Sequence, residues 1–169
     1  SDEELQDTDI NMLLQELMIQ FKPLDVRFTA QDVPLIQARS QSLKRLIGNL
    51  INNSKRYGAE PIELSAHVEN DHIFICVADN GTGIPEDQIE DLMQPFVRGN
   101  EARTIQGSGL GLAIVKRIVD LHQGQLTIHN RAQGGLEALI RLPIPQEPLE
   151  ETLPHSTLEK INQTFTDRF

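Results

Sequence analysis

The run Ile73-Phe74-Ile75-Cys76-Val77-Ala78 is the longest apolar stretch in the chain, and it stops abruptly at Asp79-Asn80-Gly81-Thr82-Gly83-Ile84-Pro85. It is far too short to span a bilayer, so it predicts a strand at the centre of a sheet, apolar on both faces. Partner strands lie on either side of it in the chain. Ile62, Leu64, Ala66 and Val68 alternate with Glu63, Ser65, His67 and Glu69, the pattern of a strand with one solvated face, and Asn70-Asp71 suits a tight hairpin into the apolar run. Residues 125–130 and 136–142 read as two closing strands, the second with Leu136, Ala138, Ile140 and Leu142 facing inward. Shorter extended pieces are expected around 26–29 and 35–38, parted by the turn-forming Asp32-Val33-Pro34.

Other segments follow a helical period. Ile10, Leu13, Leu14, Leu17, Met18 and Phe21 predict an amphipathic helix over 10–20, with Asp9 as its N-cap. Leu43, Leu46, Ile47, Leu50, Ile51, Ser54 and Tyr57 form the stripe of a helix over 42–57 that Gly58 stops. Pro85 opens a short helix over 86–93. A helix over 110–122 is apolar around most of its circumference and ends at Gly124. The expected fold is α+β, a two-layer α/β sandwich in which a mixed sheet carries three main helices on one face. Between 79 and 108 the chain is rich in Gly, Pro and polar residues, and so long a segment inside a compact domain reads as a functional lid. The domain is expected to occupy residues 1–145. Residues 146–169 contain Pro148, Pro154, Glu147, Glu150 and Glu151 and read as an acidic tail, with Ser156 and Glu159 forming the capping box of a short final helix.

A net charge of −10 argues against a nucleic-acid binder, whose affinity needs a basic face. It does not argue against a nucleotide, because backbone amides, a helix N-terminus and a metal ion can hold phosphate on an acidic protein. Cys76 is the only cysteine, which excludes a disulfide framework and a cysteine zinc site, and it is expected to fill core volume. His67, His72, His122, His129 and His155 fall at no metal-binding spacing, and no Ser-His-Asp arrangement is suggested. No stretch is long and apolar enough for a membrane span or a signal peptide.

Four constellations carry chemistry. Asn49, Asn53 and Arg56 share a strip of the second long helix. The strip is either a solvated polar edge or a site where an Asn amide oxygen joins Mg²⁺ already carrying phosphate oxygens, with Arg56 meeting the phosphates. Asp79-Asn80-Gly81-Thr82-Gly83-Ile84 could be an ordinary Asn-Gly turn, but no strand follows it. A carboxylate at the end of a central strand is instead suited to accept a hydrogen bond from the exocyclic amino group of adenine. Gly81 and Gly83 would let the backbone approach the base, and Ile84 would offer it an apolar surface. Gly107-Ser108-Gly109-Leu110-Gly111-Leu112 leaves backbone N–H groups free to converge on an anion at a helix N-terminus. It lacks the Lys of a P-loop and the spacing of a dinucleotide fingerprint. In the lid, Arg98 and Arg103 are either solvated loop charges or stabilisers of a transferring γ-phosphoryl group.

In this order, Asn49…Asn53, Asp79-x-Gly81-x-Gly83, Pro95-Phe96, Gly107-x-Gly109-Leu110-Gly111-Leu112 and Gly134-Gly135 resemble the N box, first glycine box, F box, second glycine box and last glycine box of sensor histidine kinases. The resemblance covers residues from about 8 to 145. It implies the Bergerat (GHKL) fold, shared with gyrase B, Hsp90 and MutL ATPases, and the cofactors ATP and Mg²⁺. It makes Asn53 the Mg²⁺ ligand, with Asn49 supporting; together with the lid cation Arg98, Asn53 is the expected catalytic residue. Asp79 becomes the adenine-reading carboxylate. Arg56 and Tyr57 fall at nucleotide contacts, and Gly109, Leu110, Gly111 and Leu112 cradle phosphate with Gly107 and Ser108. The implied partners are a phosphoacceptor histidine domain of the same parent protein and a response regulator. That acceptor is missing here: no histidine precedes His67, and none is followed by the family's H-E/D-x-x-x-P pattern. The chain is therefore expected to bind ATP without phosphorylating itself. It is expected to be a monomeric cytoplasmic portion, without membrane contact of its own, of a homodimeric inner-membrane parent. Two other classes share the motifs: a non-enzymatic nucleotide-binding module, and an anti-sigma-type serine kinase. An acid-labile phosphohistidine against an acid-stable phosphoserine separates the two kinases.

Overall fold

A computed structural model describes residues 3–93 and 108–145. In chain order the elements are β1 (Gln6–Thr8), α1 (Ile10–Gln20), β2 (Val26–Thr29), β3 (Ile36–Ala38), α2 (Ser40–Tyr57), β4 (Ile62–Glu69), β5 (His72–Ala78), α3 (Glu86–Met93), α4 (Ser108–Leu121), β6 (Gln125–Asn130) and β7 (Leu136–Pro143). The expectations for Pro95, Phe96, Arg98, Arg103, Gly107 and the tail helix lie outside the described residues.

The main sheet has five strands in the order β2-β4-β5-β7-β6. Only β2 and β4 run parallel; every other pair is antiparallel. The apolar run is thus the middle strand, as its pattern predicts. Asn70 and Asp71 take φ of 49° and 62°, the left-handed pair that a two-residue hairpin needs for its twist to match the strands. Register then aligns Leu64, Val77, Ala138 and Ile128 across one face of the sheet. Against this face pack α1 through Leu13, Leu14 and Leu17, α2 through Leu43, Leu46, Ile47 and Ile51, and α4 through Val115, Ile118 and Val119. These residues make a single aliphatic core, and the architecture is the two-layer sandwich. Among the described residues no helix is long and apolar enough to cross a membrane.

The opposite face carries no helix among the described residues, although β5 is apolar on that side too. There the strands shield one another: Phe74 stacks on the His67 ring with centroids 5.1 Å apart, and Cys76 lies between Ser65 and Leu139. Burial, with the nearby Glu137 carboxylate, pushes the Cys76 thiol up to about 11, so the group stays protonated and unreactive at neutral pH.

Differences from the sequence expectation come from long-range contacts. β1 has no apolar pattern and exists by pairing with β3 in a separate two-stranded sheet, so β3 stands outside the main one. At the end of α4 the left-handed residue is Gln123 (φ 56°) rather than Gly124, whose N–H closes the helix on the Val119 carbonyl at 2.9 Å. Helix α2 starts two residues before the expected Ser42, behind an N-cap, Arg39, whose side chain makes no capping bond. Glu3 supplies the cap from afar: its carboxylate accepts from the N–H groups of Gln41 (2.8 Å) and Ser42 (2.9 Å) and from Ser42 Oγ (2.6 Å).

Burial alone would raise the Glu3 carboxyl, but these hydrogen bonds and the nearby His122 outweigh it and hold it below its ordinary value. A carboxyl depressed in the folded state adds stability above its unfolded pKa and loses it as pH falls through the folded value. Glu3→Ala is therefore expected to cost about 1 kcal/mol at neutral pH, the scale of a lost helix cap. The gap between variant and wild type should close as pH drops below the ordinary Glu range. Urea unfolding at pH 7 and at acid pH measures it, and a gap that does not change with pH would remove Glu3 from the cap.

Candidate nucleotide-binding site

A cleft opens between the sheet and the C-terminal half of α2. Leu50, Asn53, Ser54 and Tyr57 form its α2 wall, and Val77, Ile128 and Ala138 from three neighbouring strands form its floor. Asp79, Gly83 and Ile84 close one end, while Leu92 of α3 and Leu112 of α4 close the other side. The cleft is mostly apolar, with few polar groups aimed into it, as a site for a flat base requires.

Helix geometry explains which residues of the polar strip reach the cleft. At about 100° per residue, Tyr57, Leu50 and Ser54 fan out to one side of Asn53, while Asn49 and Arg56 fall to the other. Asn53 therefore stands at the edge of the lining face. Asn49 is half-buried and does not line the cleft; Arg56 is exposed, with its guanidinium 5.5 Å from the centre of the Tyr57 ring. Gly81 also lies off the lining, packed on the backbone of Gly58 and Ala59. Of the second glycine box, Leu112 reaches the cleft from the first turns of α4; Ser108, Gly109, Leu110 and Gly111 form the helical backbone that leads up to it.

Asp79 is only 4% exposed and is held by main-chain donors. Its Oδ1 accepts from the N–H of Gly81 (2.9 Å) and of Leu136 (3.2 Å), and its own N–H donates to the Leu136 carbonyl (2.9 Å). Among the described residues no group donates to Oδ2, which is the oxygen that a ligand could use. Gly58 makes room for it: a Cβ there would lie 2.4 Å from the Asp79 carboxyl carbon. Gly58 (φ −103°) is thus required by this approach and not by a left-handed helix end.

Several site residues escape sequence reasoning. Ser54 is read there as part of the apolar stripe, yet it is one of the few polar residues that line the cleft. Leu92 reaches the cleft because α3 is anchored at its end, where Lys116 of α4 donates Nζ to the Met93 carbonyl at 2.7 Å. Among the described residues no three His, Cys, Asp or Glu side chains converge as a metal cage.

The fold and the cleft define an ATP-binding domain, and comparison with known proteins agrees: the family of histidine kinase-, DNA gyrase B- and HSP90-like ATPases matches residues 38–146. The chain belongs to that family. Its relatives within the family are sensor histidine kinases. It is 37% identical over 123 residues to the sensor protein KdpD of Escherichia coli, covering 72% of this chain and 14% of that protein. It is 31% identical over 150 residues to the sensor histidine kinase component HK1 of Mycobacterium tuberculosis, covering 88% of this chain and 89% of that one. Among solved structures, the histidine kinase domain of the E. coli osmosensor EnvZ superposes with a TM-score of 0.66 at 36% identity, over 89% of this chain and 94% of that one. The chain is thus homologous to sensor-kinase catalytic domains while spanning only a small part of a full-length sensor such as KdpD.

Proposed function

We propose that this chain is the catalytic domain of a two-component sensor kinase, which moves the γ-phosphoryl group of ATP·Mg²⁺ to a histidine on a separate phosphoacceptor domain of its parent. A response regulator would then receive the group. One observation carries the reading: Asn53, Asp79 and Leu112, from three segments far apart in the chain, line a single cleft. The apolar floor suits the faces of adenine, and Asp79 Oδ2 suits its exocyclic amino group, since an ionised carboxylate only accepts. The first turn of α4 presents backbone N–H groups that a helix does not use internally, and these suit the phosphates.

Asn53 fits Mg²⁺ in donor type. Its amide oxygen is a hard neutral ligand, suited to an ion whose other positions are filled by phosphate oxygens and water. When bound, the ion supplies neutralisation of the charge shared by the terminal phosphates. Tyr57 lies on the wall beyond Asn53, with Arg56 beside it and Asn49 one turn back. In this reading Arg98 stabilises the transferring group, and Arg103 adds positive charge nearby. Residues 1–145 form the catalytic unit and 146–169 a tail outside it. The parent is a membrane sensor, with this domain on its cytoplasmic side.

Calorimetry with ATP, with and without Mg²⁺, tests the site, and a labelled-ATP assay with an added phosphoacceptor histidine domain tests the reaction. Wild type should bind ATP more tightly with Mg²⁺ and give an acid-labile label on the added domain. Asn53→Ala should bind ATP equally well in the presence and absence of the ion and transfer little label. ATP binding with no label on any histidine domain would leave a nucleotide-binding module instead of a kinase.

A further inference from the structure

The last residue of β6, Asn130, and the first residue of the turn after it, Arg131, are two polar side chains that belong to none of the motifs. Asn130 meets the backbone of Ile84 at both ends of its amide: Oδ1 accepts from Ile84 N–H at 3.0 Å, and Nδ2 donates to the Ile84 carbonyl at 2.7 Å. Its Nδ2 also reaches Glu86 Oε1 at 3.2 Å, at the start of α3. The side chain thus grips Ile84 much as a neighbouring strand would. Gly83 allows the approach, since a Cβ there would lie 2.3 Å from Asn130 Oδ1.

Arg131 holds the other end of the same loop. Its side chain is only 12% exposed. One guanidinium nitrogen donates to the Asp79 carbonyl at 2.7 Å and to Asn80 Oδ1 at 3.4 Å, while the other pairs with Glu63 Oε2 at 3.0 Å. Asn80 completes the network by donating to the Pro61 carbonyl (2.6 Å) and to Glu63 Oε2 (3.2 Å). A planar guanidinium presents these donors from separate nitrogens in a fixed fork, whereas the three donors of a lysine radiate from a single nitrogen.

The segment between β5 and α3 has no helix or strand of its own, so its course depends on such outside contacts. Two adjacent residues fasten its first and last lining positions, Asp79 and Ile84. We propose that Asn130 and Arg131 are positioning residues for nucleotide recognition: they set the offset between the Asp79 carboxylate and the Ile84 side chain, and so decide how well the edge of the purine registers against Asp79. This rests on the reading of Asp79 as the adenine-binding carboxylate. Strand β5 keeps its place without the clamp, because Asp79 N–H still bonds the Leu136 carbonyl. The clamp acts on the loop.

The test measures binding of ADP and of inosine diphosphate, which carries a 6-oxo group in place of the amino group, to the whole chain, with melting temperatures alongside. Arg131→Met should reduce the preference for ADP over inosine diphosphate by roughly tenfold, the scale of one charge-assisted hydrogen bond. Arg131→Lys should restore part of it. Asn130→Asp keeps the acceptor for Ile84 N–H but sets a carboxylate against the Ile84 carbonyl, and should lower the preference as well, which covers the case of an Arg131 variant that fails to fold. Equal weakening of both nucleotides, with the preference unchanged, would mean that the clamp serves stability alone and would overturn the proposal. Asp79→Asn separates the two levels: if it keeps the preference, Asp79 does not read the base. If it loses the preference while folded Arg131→Met and Asn130→Asp keep it, only the clamp fails.

Discussion

Replacing Asp79 with Asn is expected to weaken ATP and ADP binding by about 100-fold or more while leaving the fold standing. The carboxylate has two different oxygens. Oδ1 already accepts from the N–H groups of Gly81 and Leu136, and an Asn amide oxygen can take over both bonds. That choice puts the new NH₂ where Oδ2 was, so a donor faces the amino group of adenine. Flipping the amide restores an acceptor toward the base but sets NH₂ against two main-chain N–H groups. Either rotamer leaves a buried donor unpaired, on top of the lost charge-assisted bond. A 6-oxo purine offers an acceptor instead, so inosine or guanine nucleotides should lose much less affinity, or gain. Competition titration with adenine and inosine nucleotides measures both effects. A variant that binds ADP as tightly as wild type would show that the base sits elsewhere.

Gly135→Ala is expected to cause the largest loss of stability, about 3 kcal/mol, or roughly 10 °C in melting temperature for a domain of this size. The residue has φ of +91°, where a side chain is strained, and a Cβ there would lie 2.0 Å from the Asp79 carbonyl oxygen. No rotamer relieves a clash with backbone. The β6–β7 turn would have to part from the end of β5, which breaks the two Asp79–Leu136 bonds and strips the Arg131 grip from the Asp79 carbonyl. Nucleotide binding should fall along with stability, since Asp79 moves. Gly134→Ala is the control. Its φ is +103°, but the nearest atom to a new Cβ is the Gly81 carbonyl oxygen, at 3.7 Å. It should lose only the strain, about 1 kcal/mol. Thermal melts of the two variants decide the matter: equal losses would mean that the close approach of Gly135 to Asp79 contributes nothing.

Much of the fold is legible in the chain because each element reports its own buried face. The alternation Ile62, Leu64, Ala66, Val68 and the stripe through Leu43, Leu46, Ile47 and Leu50 define a strand and a helix by period alone. Asp79 is visible too, as a carboxylate that ends an apolar strand. Ser54 shows where such reading stops. A small polar residue in an apolar stripe looks like core, and only the cleft that opens beside α2 makes it a lining residue. Gly58 is similar: one glycine after a helix suggests a stop signal, whereas its actual neighbour is a carboxyl group 21 residues further along the chain.

The residue pattern by itself settled the element types, the central place of β5 and the positions of the acidic and glycine-rich segments, because period and composition act over a few residues. Tertiary structure alone decided that Glu3 caps α2, that β1 exists, and that Asn130, Arg131 and Gly135 surround the loop at Asp79. Those contacts join residues tens of positions apart, and the pairing depends on how the sheet brings its strand ends together, which no local run of residues records.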